Sequence, residues 1–481
     1  MAFGRWKRSS RPRGKACGIF ADVPFRAKNE RIFADFPYFC SNFHAMNWTD
    51  LLSVKRCAVP HKSVDIRNSF QRDYDRIIFS SAFRRLQNKT QVFPLPGAIM
   101  VHNRLTHSLE VASVGRSIAR TTAQKLVDAR PELKGVLDDI DTVVATACLA
   151  HDLGNPPFGH SGEDAISSFF KDGNGQKIKD FVLPEQWSDL VAFEGNANAF
   201  RLLTHQFAGR RAGGFSLTAA TLATLMKYPY PSFNKGKRKK YNVFQSDIQL
   251  FEEVMTECGI PCRDGENHVF ARHPLSYMME ASDDICYLIL DMEDAHKRGI
   301  VSTQAIEDCF LSFFPKSDAN FYRHKEDIYK VVTDVNERMA FLRATLINKL
   351  VNCVCDTFVE HYDAIMAGDF EGSLIAHLPE FESNAMEKCR EESVRKIYRC
   401  PDVVKIELAG FKVIGDLLDV FVNAVLHPET AYNKKLLSLV PEQFKVDSNE
   451  VYPKVLTVID FVSNMTDLYA VKLYKNLRGI D

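Results

Sequence analysis

The run Cys148-Leu149-Ala150-His151-Asp152-Leu153-Gly154-Asn155-Pro156-Pro157-Phe158-Gly159-His160-Ser161-Gly162-Glu163 concentrates groups that could do chemistry. His151 and Asp152 set a borderline nitrogen beside a hard oxygen. Such donors suit a divalent ion, whether Mg, Mn, Co, Ni, Fe or Zn. Beyond a Gly/Pro turn, His160 and Glu163 stand three residues apart. At that spacing an imidazole and a carboxylate share one face of a starting helix, as an acid–base pair requires. Taken alone, a His-Asp pair is more often a helix end, and His160 and Glu163 could simply cap the helix that follows.

Other segments add candidates. His107 follows Arg104 in His102-Asn103-Arg104-Leu105-Thr106-His107. In the stretch from Pro274 to Arg298, at about 100° per residue, Ile285, Leu288, Met292 and Ala295 share one face. Asp283, Tyr287, Asp291 and Asp294 share the other. Cys286, Ile289 and Leu290 widen the apolar arc, leaving little surface for water, so the acids are candidates for lining a cavity. Asp284 points about a quarter turn away, which makes Asp283 the better ligand. Arg84, Arg85, Lys89 and Gln91 crowd Ser80–Val92, as a solvated face or as a polar wall for an anion. Asn234–Tyr241 carries five cations, reading either as an exposed flexible loop or as a contact for phosphate or nucleic acid.

These residues need rigid carriers. No charge falls between Asp141 and His151. A helix apolar all round is buried, so His151 and Asp152 should emerge at the end of a buried rod. Thr106 is a plausible N-cap for a helix with a stripe of Val111, Val114, Ile118 and Leu126. Gly299 stops the Asp283 helix. Helical periodicity continues through residues 300–481, without a GxxxxGK[ST] or GxGxxG motif, an internal repeat or a strand-rich region. The fold class expected is all-α. Residues 46–300 would form the core that carries these candidates and residues 301–481 a helical region packing on it.

Composition sets outer limits. Lys plus Arg and Asp plus Glu both number 61 in 481 residues, so only local patches can argue for a nucleic-acid partner. Residues 1–45 lack helical periodicity. They are basic at the start without an apolar signal region, and read as a disordered or non-native extension. The 12 cysteines are scattered and no secretory signal is visible, so reduced thiols and a cytoplasmic location are expected. No apolar run is long enough to span a membrane.

His107, then His151-Asp152, then the distant Asp283 follow the order that marks the HD superfamily of metal-dependent phosphohydrolases. The chain from about Met46 resembles the bacterial deoxyguanosine triphosphate triphosphohydrolase family within it. The resemblance rests on Ser80–Val92, Arg104–Gly115, Cys148–Glu163, Phe193–Ala197, Lys227–Pro229, Glu280–Asp294 and Asp460–Asp467. It implies an HD-domain helical enzyme with additional C-terminal helices, hydrolysing a deoxynucleoside triphosphate to deoxynucleoside and tripolyphosphate. It implies a divalent metal, Mg or Mn first, on His107, His151, Asp152 and Asp283, with His160 and Glu163 catalytic. Gln91, Tyr287 and Asp291 would contact the sugar, and Arg104 and Lys227 the phosphates, with Arg85 or Lys89 as further cations. A hexamer, a dNTP effector and single-stranded DNA are implied as further partners. Two alternatives stand beside this: an HD phosphodiesterase or 5′-nucleotidase, and a helical nucleic-acid-binding protein with a dead site using the 235–240 loop.

Overall fold

The computed structural model describes residues 45–57, 66–93 and 101–480. The extension expected over 1–45 lies outside the described residues apart from its last position, as do Pro94 and Pro96-Gly97. The described residues belong to one compact unit, with no separate unit beginning at residue 301. The architecture is all-α. The described strands are β1 (Cys262–Asp264) and β2 (Val269–Phe270), an antiparallel pair in a loop.

Ten helices position the site. They are α1 (Arg104–Ala129), α2 (Ile140–Ala150), α3 (His160–Lys171), α4 (Gly195–Thr204), α5 (Pro274–Lys297), α6 (Val335–Glu360), α7 (Glu380–Lys396), α8 (Pro401–Leu426), α9 (Val451–Ser463) and α10 (Asp467–Arg478). Helices α1, α2 and α5 pack on one another, with α6 against α1. On the other side α8 lies on α3, α9 and α10.

The uncharged run predicted as a buried rod is α2, whose residues from Val143 to Ala150 are all buried. Each large apolar side chain buried there contributes roughly 1.5–3 kcal/mol. Gly115 of α1 lets the three helices meet. A Cβ there would lie 2.6 Å from Cys148 Sγ on α2 and 3.0 Å from Ser282 Oγ on α5. This crossing brings His107, His151 and Asp283 to one level.

The start of α1 differs from expectation. Asn103, not Thr106, is the N-cap: its side chain accepts the Thr106 N–H at 3.0 Å. Thr106 Oγ1 accepts the Asn103 N–H at 3.1 Å. This reciprocal capping box satisfies two backbone donors at once, which a cap at Thr106 could not do. Arg104 therefore opens the helix and His107 completes its first turn.

Candidate active site

His107, His151 and Asp152 each present a donor atom within 4.8 Å of the others. Asp283 Oδ1 lies 3.2 Å from His107 Nε2 and 3.4 Å from His151 Nε2. The four residues expected as metal ligands thus converge from the first turn of α1, the end of α2 and the middle of α5. His151 Nδ1 sits 2.6 Å from the Cys148 carbonyl, which only accepts, so that nitrogen carries the hydrogen. Its Nε2 is buried without a hydrogen-bond partner and faces the carboxylates. A fixed tautomer with a free inward nitrogen is how a protein prepares an imidazole for a metal. Burial pushes the His151 pKa down, but Asp152 and Asp283 raise it above the usual value. The cluster therefore attracts positive charge, and its donor set fits a divalent ion.

Two cations brace the carboxylates. Arg104 Nη1 donates to Asp152 Oδ2 at 2.7 Å, and Lys227 Nζ donates to Asp283 Oδ2 at 2.8 Å. Burial alone would raise both carboxyl groups; Arg104 with His151 holds Asp152, and Lys227 with His151 holds Asp283, below the ordinary range. Asp284 makes no such ion pair among the described residues; Lys227 lowers it, but burial dominates and pushes it up to about 7. Arg104 Nε is buried and unpartnered, leaving a donor for an incoming anion.

The turn after α2 carries His160 to the first position of α3. Gly159 has φ +60°, and a Cβ there would lie 2.7 Å from Arg104 Nη2; only glycine allows both the turn and the close guanidinium. His160 Nδ1 meets Glu163 Oε2 at 2.8 Å, while Glu163 Oε1 accepts the Gly195 N–H at 2.8 Å. Glu163 is buried, and the His160 side chain is 70% exposed, its Nε2 making no hydrogen bond among the described residues. The hydrogen bond to Glu163 raises the His160 pKa. Burial would raise Glu163, but His160 lowers it. The pair is thus an imidazole tethered to Glu163 through Nδ1, which strengthens its hold on a proton.

Residues expected at the sugar are held by a partner that sequence reasoning missed. Tyr398, at the start of the segment joining α7 to α8, stacks on Tyr287 with ring centroids 5.9 Å apart and donates to Asp291 Oδ2 at 2.8 Å. Burial pushes Asp291 up to about 8, so its carboxyl is mostly neutral at pH 7. Gln91 Oε1 is buried without a partner. The polar wall expected from Ser80–Val92 is corrected at Lys89. Its ammonium is buried, donating to the Asn155 and Ser463 carbonyls, and burial beside Arg85 and Arg104 lowers it to about 7. Lys89 is an internal brace, not an open phosphate contact. Arg85 donates to Asn464 Oδ1 at 2.8 Å.

The basic loop is divided. Gly236–Lys239 is exposed, but Lys240 is half-buried. Its neighbours pin it: Tyr228 N–H donates to Asn242 Oδ1 at 2.7 Å, and Asn242 Nδ2 donates to the Asn196 carbonyl at 3.3 Å. Burial would lower Lys240, but Glu194, Tyr228 and Glu163 raise it. It therefore faces the His160–Glu163 side of the site, which its position within a run of five cations concealed.

The HD domain model matches residues 104–186, a span that includes His107, His151, Asp152, His160 and Glu163. The phosphohydrolase-associated domain model matches residues 376–476. Fold and site thus define a helical, metal-dependent HD-domain phosphohydrolase. The chain is 40% identical to a deoxyguanosinetriphosphate triphosphohydrolase-like protein of Synechocystis, over 90% of this chain and 100% of that one. A protein of the same description from Pseudomonas aeruginosa is 37% identical over 90% and 99%. A deoxyguanosinetriphosphate triphosphohydrolase of Yersinia enterocolitica is 30% identical over 87% and 95%. The chain belongs to this deoxyguanosinetriphosphate triphosphohydrolase-like family.

Proposed function

We propose that the enzyme hydrolyses deoxynucleoside triphosphates, dGTP first among them, to deoxynucleoside and intact tripolyphosphate. The observation that carries this reading is the bracing of two candidate metal ligands by cations, Arg104 on Asp152 and Lys227 on Asp283. A phosphate chain approaching the cluster meets both, with Lys240 set further out, and charge-assisted contacts of this kind suit a polyphosphate. His107, His151, Asp152 and Asp283 would hold the ion, Mg or Mn first, though the same donors accept Co, Ni, Fe or Zn. When bound, the ion supplies Lewis-acid stabilisation of charge at the phosphoryl oxygens.

The remaining work falls to this chain's side chains. Water attacks the α-phosphorus, its oxygen staying on the tripolyphosphate, while the bond to the 5′ oxygen breaks and releases an alkoxide, a poor leaving group that needs a proton. His160, whose hold on a proton Glu163 strengthens, can donate it from Nε2. Tyr287, held against Tyr398, would clash with a 2′-hydroxyl, and Asp291 with Gln91 would contact the 3′-hydroxyl. The same reading gives the enzyme a role in dNTP pool control in the cytoplasm, as a homo-oligomer, a hexamer, with residues 301–481 at the interface. It also names a dNTP effector and single-stranded DNA as further partners. The deciding experiment incubates the enzyme with each dNTP and with GTP, in Mg or Mn, and separates products by ion exchange. Tripolyphosphate from dGTP and no turnover of GTP are expected; orthophosphate as the first product would overturn the reading.

A further inference from the structure

The segment Asp460–Asp467 has no part in the chemistry above, yet it touches the catalytic turn. Asp467 is buried. One of its carboxylate oxygens accepts the Thr90 N–H at 2.9 Å and the other accepts the Phe158 N–H at 3.1 Å. One turn earlier the Ser463 carbonyl accepts Lys89 Nζ at 2.9 Å, and that ammonium also donates to the Asn155 carbonyl. Two bonds therefore tie residues 89–90 to residues 463–467, and two more tie both to the turn at Asn155–Phe158.

The turn needs such ties. Phe158 has φ +65°, a left-handed conformation that a bulky residue keeps only when its surroundings enforce it. Gly410 of α8 backs it from the other side; a Cβ on Gly410 would lie 2.9 Å from Phe158 Cβ. His160 follows two residues later. Asp467 offers two acceptors to two N–H groups, an arrangement only a carboxylate completes, because an asparagine would turn its own N–H against one of them.

We propose that Asp467 is a positioning residue that locks Phe158 in its left-handed turn and thereby aims His160 at the leaving group. The catalytic part of this rests on the acid–base reading of His160; the lock itself does not. A displacement of about 1 Å in a catalytic group can cost about 100-fold in rate.

The test uses the full chain with Asp467→Asn and, should that variant fold poorly, Gly410→Ala, which presses on the same turn from α8. Amide hydrogen exchange at Phe158 reads the lock, and steady-state hydrolysis of dGTP reads its consequence. Each variant should exchange faster at Phe158 and lose about 10- to 100-fold in kcat, with KM within about 3-fold. In a His160→Ala background, Asp467→Asn should add almost nothing to the loss of kcat. Unchanged exchange in a folded variant overturns the lock. Faster exchange with normal kcat, while His160→Ala is inactive, overturns the positioning role, as would losses that multiply in the double variant. Normal turnover by His160→Ala would instead defeat the acid–base reading and the positioning role with it, leaving the exchange data to judge the lock alone.

Discussion

Asp283 and Asp284 are adjacent carboxylates on one helix with opposite fates. Asp283 pairs with two imidazoles and Lys227, whereas Asp284 feels Lys227 without an ion pair to it among the described residues, and burial pushes its carboxyl up to about 7. Asp283→Ala should abolish metal binding, measured by calorimetry with Mn, while circular dichroism stays unchanged. Asp284→Ala should keep metal affinity within a few-fold; the reverse pattern would show that the ligand face is misassigned. The His160–Glu163 pair answers to a different readout. Neither is among the four proposed ligands, so His160→Ala and Glu163→Gln should retain metal but lose about 10²–10⁴-fold in kcat. Glu163 acts through His160, so the double variant should resemble the worse single one. If both residues only capped α3, the cost would be stability of about 1 kcal/mol with turnover spared. A metal-loaded, folded His160→Ala enzyme with normal kcat would settle the matter that way.

At the scale of elements, the buried carboxyl of Asp189 joins the helix Pro184–Val191 to three others. It accepts from Ser232 Oγ, the Gln245 N–H and Tyr452 Oη of α9. Burial nevertheless pushes it up to about 7. Below about pH 4 folded and unfolded states both hold the proton; between about 4 and 7 only the folded state does, so stability falls as pH rises through that window. Asn can satisfy the same three partners without the proton. Asp189→Asn should therefore gain about 2–3 kcal/mol on wild type between pH 5 and pH 8, read by urea unfolding at each pH. An equal stability difference at both pH values would contradict the buried neutral carboxyl. Partners of this kind mark where the sequence stopped being legible. Helix α2 and the phase of Asp283 against Asp284 followed from periodicity, which is local, while the grouping of His107, His151, Asp152 and Asp283 came from the resemblance to the HD superfamily. Asn103 and Thr106 are both good caps, and only the reciprocal bonds decide between them. Lys89 read as a surface cation because the Ser463 carbonyl that holds it lies 374 residues away. Tyr398, 107 residues beyond Asp291, was hidden for the same reason.

Over the whole molecule the formal charge is zero, so any attraction for a polyanion must come from local fields. The loop after Tyr230 supplies one, and its cations divide by surroundings. Arg238 lies 4.7 Å from the Tyr230 ring centre and Lys235 5.4 Å from that of Tyr241, arrangements that keep the charge while fixing the side chain. Lys237 and Lys239 are exposed, and Lys240 is half-buried toward Glu194 and Glu163. Long-range steering by exposed charges is screened within about 8 Å at physiological salt, whereas a half-buried cation beside His160 and Glu163 acts at short range. Replacing Lys237, Arg238 and Lys239 together by Gln should therefore leave low-salt hydrolysis of dGTP within about 3-fold. The same variant should weaken binding to single-stranded DNA and flatten its logarithmic salt dependence by about 0.7 for each phosphate no longer neutralised. Lys240→Gln should do the opposite, leaving the salt slope nearly intact while cutting kcat/KM by roughly 10-fold or more, the scale of one charge-assisted hydrogen bond. Fluorescence anisotropy with labelled oligonucleotide across a salt series, beside steady-state kinetics, separates the two. If the triple variant lost turnover and Lys240→Gln did not, the exposed tip of the loop, rather than its buried root, would be the part that meets the substrate.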